Sequence, residues 1–126
     1  MDIEQFRTYC LGLPLATEDF PFDESTLVFR VLGKIFAMVD LDRPTRIILK
    51  CAPAYALELR EHYPGIEGAY HMNKKYWNQV ALDSPIADDV VISLIRHSYS
   101  EVVKKLPRHE RTDHTEITNV SSEQTV

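Results

Sequence analysis

Residues 26–41 read TLVFRVLGKIFAMVDL, and this stretch predicts a β-hairpin. Two runs of β-branched and aromatic residues flank the pair Gly33-Lys34, a pattern typical of two antiparallel strands joined by a short turn. Glycine suits the first central position of a type II′ turn, because that position requires a positive φ angle. We therefore predict the turn of the hairpin at Gly33-Lys34.

Apolar side chains occupy both faces of the predicted hairpin. Alternation gives two apolar sets in each strand: Leu27, Phe29 and Val31 against Val28 and Leu32, then Ile35, Ala37 and Val39 against Phe36 and Met38. Either other elements cover both faces, or one face carries a binding surface. Burial is the interpretation that we favour.

The segments around the hairpin predict the other elements of an α+β domain. In chain order they are a helix capped by Asp2 and ended at Gly12, an edge strand or extended loop at 17–22, a strand at 46–51, a helix from Pro53 to Pro64, a strand at 76–82, and a long helix capped by Ser84-Pro85 and stopped by Pro107. The predicted order is roughly α-β-β-β-β-α-β-β-α, which counts one further strand between the last two helices. This order predicts a mostly antiparallel β-sheet flanked by helices. Residues 1–107 form one predicted domain, and the polar residues 108–126 form a predicted flexible tail.

Composition and charge restrict the class of protein. The chain has 126 residues, 44% of them hydrophobic and 26% charged, which is typical of one soluble domain. No run of apolar residues is long enough to span a membrane, and the acidic start is unlike a secretory signal. With only Cys10 and Cys51, no disulfide framework is expected, so we predict a cytoplasmic protein, and we expect a monomer.

Motifs for cofactor, metal or covalent chemistry are absent from the sequence. Only four glycines are present and no phosphate-binding loop can be written, while the histidines and cysteines lack the spacing of metal ligands. A pair such as Cys51 and His71 would need a third, supporting group to act as a nucleophile and its base. We therefore predict a protein that is not an enzyme and has no cofactor and no metal site.

The charge of the chain is unevenly distributed. The formal net charge is −5, which argues against a protein that simply coats nucleic acid. The predicted sheet, however, holds seven basic residues against two acidic ones: Arg30, Lys34, Arg43, Arg46, Lys50, Lys74 and Lys75 against Asp40 and Asp42. A positive sheet on an acidic body suits a binder of nucleic acid or phosphate. Equally, edge lysines and arginines can serve only to deter pairing between sheets.

Four segments resemble, in order and spacing, the bacterial MmcQ/YjbR-type proteins. They are EDFPFDESTLVFRVLGKIFAMV (18–39), RIILKCAPAYALELREHYPGI (46–66), AYHMNKKYWNQVALD (69–83) and LIRHSYSEVVKKLP (94–107). The resemblance covers about residues 1–107. It implies an α+β fold of the CyaY-like or secretion-chaperone-like kind, and members of that family are commonly labelled DNA-binding.

The leading functional hypothesis is a small DNA-binding protein that uses a basic sheet and turn. Its candidate residues would contact phosphates, base edges or unpaired bases: Arg30, Lys34, Arg46, His71, Asn73, Lys74, Lys75, Trp77 and Asn78. No helix-turn-helix signature supports it. The alternative hypothesis is a protein- or peptide-binding adaptor of chaperone-like architecture, with Phe36, Met38 and Trp77 as contacts.

Overall fold

A computed structural model describes residues 1–120 of the chain. Its elements are α1 (Ile3–Gly12), β1 (Ala16–Asp19), β2 (Thr26–Val31), β3 (Lys34–Asp40), β4 (Arg46–Lys50), α2 (Pro53–His62), β5 (Ile66–Gly68), β6 (Trp77–Ala81), α3 (Asp88–Val103), α4 (Arg108–Asp113) and a 3-10 helix (Thr115–Asn119). Within residues 1–120, no helix is long and apolar enough to cross a membrane.

The six strands form one antiparallel sheet in the order β1-β2-β3-β4-β6-β5. Helices α1, α2 and α3 share one hydrophobic core with a single face of the sheet. Phe6 of α1 meets Phe29 of β2 edge-on, with ring centroids 5.5 Å apart. The antiparallel sheet with helices packed on one face confirms the predicted α+β fold. The opposite face, which we call the outer face, carries Arg30, Ile35, Arg46, Ile48, Lys50, Trp77 and Gln79.

The first helix begins where the sequence predicts. The carboxylate of Asp2 accepts a hydrogen bond from the Gln5 backbone N–H, and the Gln5 side chain accepts one from the Asp2 N–H. This reciprocal pair satisfies two donors that a helix start otherwise leaves without partners. The start of α3 differs from the prediction, because Ser84 donates its hydroxyl to the carbonyl of Ala81 and the helix begins only at Asp88.

The hairpin turn lies one residue earlier than predicted. Val31 pairs with Lys34, so Leu32 and Gly33 are the two central residues of the turn. Their φ angles are 47° and 84°, both positive, which is the pattern of a type I′ turn rather than type II′. The twist of a type I′ turn matches that of the strands, and this offsets the strain of a left-handed leucine.

A β-bulge at Phe36 changes which side chains face the core. Phe29 pairs with Ala37 and Arg30 pairs with Ile35, so Phe36 is an extra residue in β3. Phe36 therefore turns towards the helices and meets Tyr99 of α3 edge-on at 5.3 Å. Phe36 is fully buried and Met38 is 4% exposed. The prediction that these two side chains would contact a partner is therefore wrong.

The C-terminal segment is structured where a flexible tail was predicted. Residues 108–113 form α4, and the 3-10 helix that follows places Ile117, 1% exposed, in the core. Ser100 of α3 also donates its hydroxyl to the carbonyl of Val120 at 3.2 Å. Ile117 and the partly buried Val120 thus anchor a polar segment, which composition alone does not reveal. The prediction of a flexible tail is wrong for residues 108–120, and residues 121–126 lie outside the described part of the chain.

His97 links α3 to the start of α2. Its ring is 3% exposed, packs edge-on against Tyr55 and accepts a hydrogen bond at Nε2 from the backbone N–H of Ala52, at 3.1 Å. Burial lowers the pKa of His97 below its ordinary value of 6.5, with Lys104 acting in the same direction and Glu101 against it. The neutral ring is therefore the form that the fold requires.

Acid is expected to destabilise the protein through His97. Because the pKa of His97 is depressed in the folded state, the stability that the neutral ring contributes is fully present above pH 6.5. It is lost as the pH falls through the folded-state pKa. One such group lowers the free energy of unfolding by at most about 1.4 kcal/mol per pH unit. His97→Gln keeps an acceptor and removes the titration, so urea unfolding at about pH 7 and about pH 5 should show a smaller pH effect in the variant. An equal pH effect in both proteins would contradict this role.

Candidate nucleic-acid interface

The connection between β5 and β6 presents the two adjacent lysines to solvent. The carbonyl of Asn73 accepts the backbone N–H groups of Tyr76 and Trp77, at 3.1 and 3.0 Å. Its side-chain oxygen accepts the N–H of Lys75 at 3.0 Å. An asparagine that bonds the backbone two residues ahead closes a tight turn. Lys74 and Lys75 therefore lie at an exposed turn.

Helix α2 holds this turn against the sheet. Arg60 donates from Nε to the side-chain oxygen of Asn78 at 2.7 Å, and its guanidinium also donates to the carbonyl of Lys74. Asn78 in turn donates its amide to the carbonyl of Ala56, at 3.3 Å. A planar guanidinium can bridge two acceptors in this way, whereas a lysine ammonium lacks the fixed fork. The position of Lys74 is thus determined by a helix on the other side of the sheet.

Gly68 lets the stem of Lys74 pack closely on β5. A Cβ at residue 68 would lie 3.1 Å from Cγ of Lys74, tighter than most side-chain contacts. The apolar stem of a lysine can cover backbone while its ammonium remains in water. The lysine is therefore directed by packing as well as by the turn.

Three ammonium groups lie over three aromatic rings. Lys50 Nζ is 5.8 Å from the centroid of Trp77, Lys74 Nζ is 5.8 Å from that of Tyr70, and Lys75 Nζ is 5.5 Å from that of Tyr76. Such pairs are cation–π contacts. Tyr70 is 68% and Tyr76 37% exposed. We call these six residues the lysine–aromatic surface.

The lysines of this surface keep their charge available. Within residues 1–120, none of Lys50, Lys74 and Lys75 is in an ion pair with a carboxylate. Ion pairs elsewhere on the sheet occupy Arg30, which contacts Asp19 at 2.9 Å, and Arg46, which contacts Asp83 at 2.7 Å. Positive charge next to exposed rings can contact the backbone and the bases of a nucleic acid together.

The predicted site residues divide into three groups. Five lie together in or beside the turn: His71, Asn73, Lys74, Lys75 and Trp77. Three lie elsewhere: Arg30 on β2, Arg46 on β4, and Lys34 at the exposed hairpin end. Asn78 is buried, 2% exposed, with its amide bonded to Arg60 and Ala56, so its prediction as a contact to base edges is wrong.

The candidate residues predicted from the sequence lack three members of this surface: Lys50, Tyr70 and Tyr76. Lys50 is opposite Trp77 because β4 pairs with β6, and 26 residues separate these two strands in the chain. Strand alternation places Lys50 on the same face as Arg46, which is the one available signal. Tyr70 lies in the segment 69–83, and only its exposure distinguishes it from a core tyrosine.

The two cysteines are poorly suited to act as nucleophiles, and no metal-binding cluster assembles in the described part of the chain. Burial raises the pKa of Cys51 to about 12, with Glu101 adding to the effect, so the thiol stays protonated and is a poor nucleophile. Burial also raises the pKa of Cys10. Among residues 1–120, no group of three or more histidines, cysteines and carboxylates could hold a metal ion.

Comparisons with known proteins give the family. The family model described as YjbR matches residues 11–101. The chain belongs to the YjbR family. Escherichia coli K12 YjbR is 30% identical over 112 residues, which cover 88% of this chain and 95% of that protein. Escherichia coli O157:H7 YbdF is 33% identical over 109 residues, which cover 86% of this chain and 89% of that protein.

Solved structures of similar chains share the fold. The Deinococcus radiodurans protein DR2400, with a DUF419 domain, superposes with a TM-score of 0.84 at 38% identity, covering 90% of this chain and 88% of that one. A Pseudomonas syringae crystal structure gives a TM-score of 0.69 at 29% identity, covering 81% of this chain and 99% of that one. The family predicted from the four sequence segments is therefore confirmed.

Proposed function

We propose that this YjbR-family protein binds single-stranded DNA through the lysine–aromatic surface and has no enzymatic activity. The observation that supports the proposal is the set of three ammonium–ring pairs at 5.5 to 5.8 Å on an exposed turn and strand. Lysines follow the phosphate backbone while exposed rings stack on bases, which is how proteins hold single strands without reading a groove. The two free thiols, both buried, fit a reducing cytoplasm.

A single strand suits this surface better than a duplex does. Helices α1, α2 and α3 pack on the core face, so the outer face offers strands and a turn rather than a helix that could enter a major groove. The rings of Tyr70 and Tyr76 project from the turn, and the bases of a duplex are already stacked on one another. Unpaired bases are available to such rings without the cost of unstacking.

The acidic net charge is compatible with a local anion-binding surface. Charges that lie farther apart than the Debye length, about 10 Å at 0.1 M salt, are largely screened from one another. The −5 of the whole chain therefore limits affinity at low salt more than it does near physiological salt. We expect modest affinity with a clear dependence on salt.

Fluorescence of Trp77, the only tryptophan in the chain, provides the test. Oligo(dT) should quench its emission, and a duplex of equal length should bind more weakly. With three phosphate contacts, affinity for the single strand should fall on the order of 20-fold between about 50 mM and about 200 mM salt. Anisotropy of a labelled oligonucleotide checks binding independently of the tryptophan. Absence of binding by both measurements, or binding insensitive to salt, would refute the proposal.

A further inference from the structure

A cleft of about 800 Å³ lies on the outer face beside the lysine–aromatic surface. The chain from the end of β3 at Asp40 to the start of β4 at Arg46 forms one wall, and Tyr70 with His71 forms the other. Ile48 of β4 and Gln79 of β6 are paired neighbours and form the floor. The cleft thus shares Tyr70 with the surface that carries the lysines.

The aromatic wall is held in an unusual conformation. His71 has a φ angle of 69°, in the left-handed region that side chains other than glycine rarely adopt. Its ring lies 4.3 Å from that of Tyr70, and the hydrogen bond from Met72 N to the Ala69 carbonyl closes the turn beneath them. Strained residues concentrate at ligand-binding sites, where the surrounding structure maintains them. The two rings form an exposed edge-to-face pair at the rim of the cleft.

The floor and the second wall supply polar groups. Within residues 1–120, the side-chain amide of Gln79 makes no hydrogen bond, although this residue is half-buried. Arg43 is exposed and is in no ion pair in the same part of the chain. Asp40 shapes the loop by accepting the backbone N–H of Asp42 at 2.9 Å. An amide can donate to and accept from a base edge, and a guanidinium suits phosphate.

We propose that the cleft binds one nucleotide of the strand whose neighbouring phosphates lie on the lysine–aromatic surface. The inference rests on the proposed function. The base stacks on Tyr70 and His71 with its edge towards Gln79, and its phosphate lies near Arg43. Stacking and amide contacts give preference among bases, which the lysines alone do not.

The carboxylates of the cleft limit the occupant to a nucleotide with little charge. Asp40 and Asp42 line the same wall as Arg43 and Arg46, and Arg46 is already paired with Asp83. The three or four negative charges of a free polyphosphate would be repelled by Asp40 and Asp42. A nucleotide within a strand brings only one charge per phosphate. The cleft therefore suits a strand rather than a free nucleoside triphosphate.

Homopolymer binding in three variants tests the cleft. Wild type should distinguish oligo(dT), oligo(dC) and oligo(dA), and Gln79→Leu should remove these differences. Arg43→Gln should lower the affinity for each of the three oligonucleotides by roughly 5-fold at about 0.1 M salt, which is the effect of one phosphate contact. Asp42→Asn should raise the affinity for each of them, because it removes a negative charge from the wall of the cleft. Arg108→Gln, an exposed arginine on α4, is the matched control and should bind like wild type. Circular dichroism melts confirm that each variant is folded.

The outcomes separate this inference from the proposed function. If wild type binds single strands and its base preference survives in Gln79→Leu, or Arg43→Gln binds like Arg108→Gln, the cleft is not the site. Failure of wild type to bind any strand would refute the proposed function itself. Competition by free thymidine triphosphate at the same nucleotide concentration as the oligonucleotide would overturn the preference for a strand.

Discussion

Replacing Lys74 and Lys75 by alanine is expected to weaken binding of single-stranded DNA by roughly 25-fold at about 0.1 M salt. Each phosphate contact to a single strand contributes a factor of about 5 under those conditions, because binding releases condensed counterions. The turn itself should survive, since its hydrogen bonds come from Asn73 and from the backbone carbonyl of Lys74, both of which the variant retains. Trp77 emission and anisotropy of labelled oligo(dT) measure the change.

A second pair of adjacent lysines provides the control. Lys104→Ala/Lys105→Ala changes the net charge by the same amount at the exposed end of α3. This variant should keep most of the affinity, while the turn variant should also lower the slope of log affinity against log salt by about 1.4. Equal losses in the two variants would mean that net charge, rather than the lysine–aromatic surface, determines binding. Unchanged affinity in the turn variant would refute the role of these lysines.

The parts of the fold that the sequence predicts depend on local chemistry. The capping pair of Asp2 and Gln5 and the proline at the start of α2 each act within one helical turn. The hairpin is also local, yet its turn was placed one residue late. Leucine is a poor choice for a positive φ angle, so the pattern pointed to Gly33 and Lys34, whereas the pairing of Val31 with Lys34 imposes the strain on Leu32. Strand pairing thus outweighed the preference of one residue.

Tertiary contacts determine what the sequence did not predict. Ile117 is buried because it packs in the core together with residues of α3, and nothing in its polar sequence neighbours indicates this. The candidate site shows the same division. The sequence predicts the candidates between residues 71 and 77 because they lie close together in the chain. Lys50 reaches Trp77 only through the pairing of β4 with β6. The prediction for Asn78 is wrong because its partner, Arg60, lies on α2, 18 residues earlier in the chain.

Phe36→Ala is expected to lower the free energy of unfolding by about 3 to 5 kcal/mol, as truncation of a fully buried phenylalanine typically does. The bulge turns this side chain into the core, where it meets Tyr99 edge-on at 5.3 Å, and alanine would leave a cavity between β3 and α3. Strict alternation along β3 would instead point the side chain of residue 36 away from that of Ala37, towards the outer face. Urea unfolding followed by Trp77 fluorescence and circular dichroism measures the loss.

Phe22→Ala separates the effect of burial from that of losing an aromatic ring. Phe22 is 65% exposed, so its truncation should change the free energy of unfolding by no more than about 0.5 kcal/mol. If Phe36 were a contact for a partner protein, as the adaptor hypothesis requires, Phe36→Ala would be as stable as Phe22→Ala. Because Met38 is also buried, a large loss in Phe36→Ala alone would leave that hypothesis with Trp77 as its single predicted contact. The ring of Trp77 lies beneath the ammonium group of Lys50, an environment suited to an anionic strand.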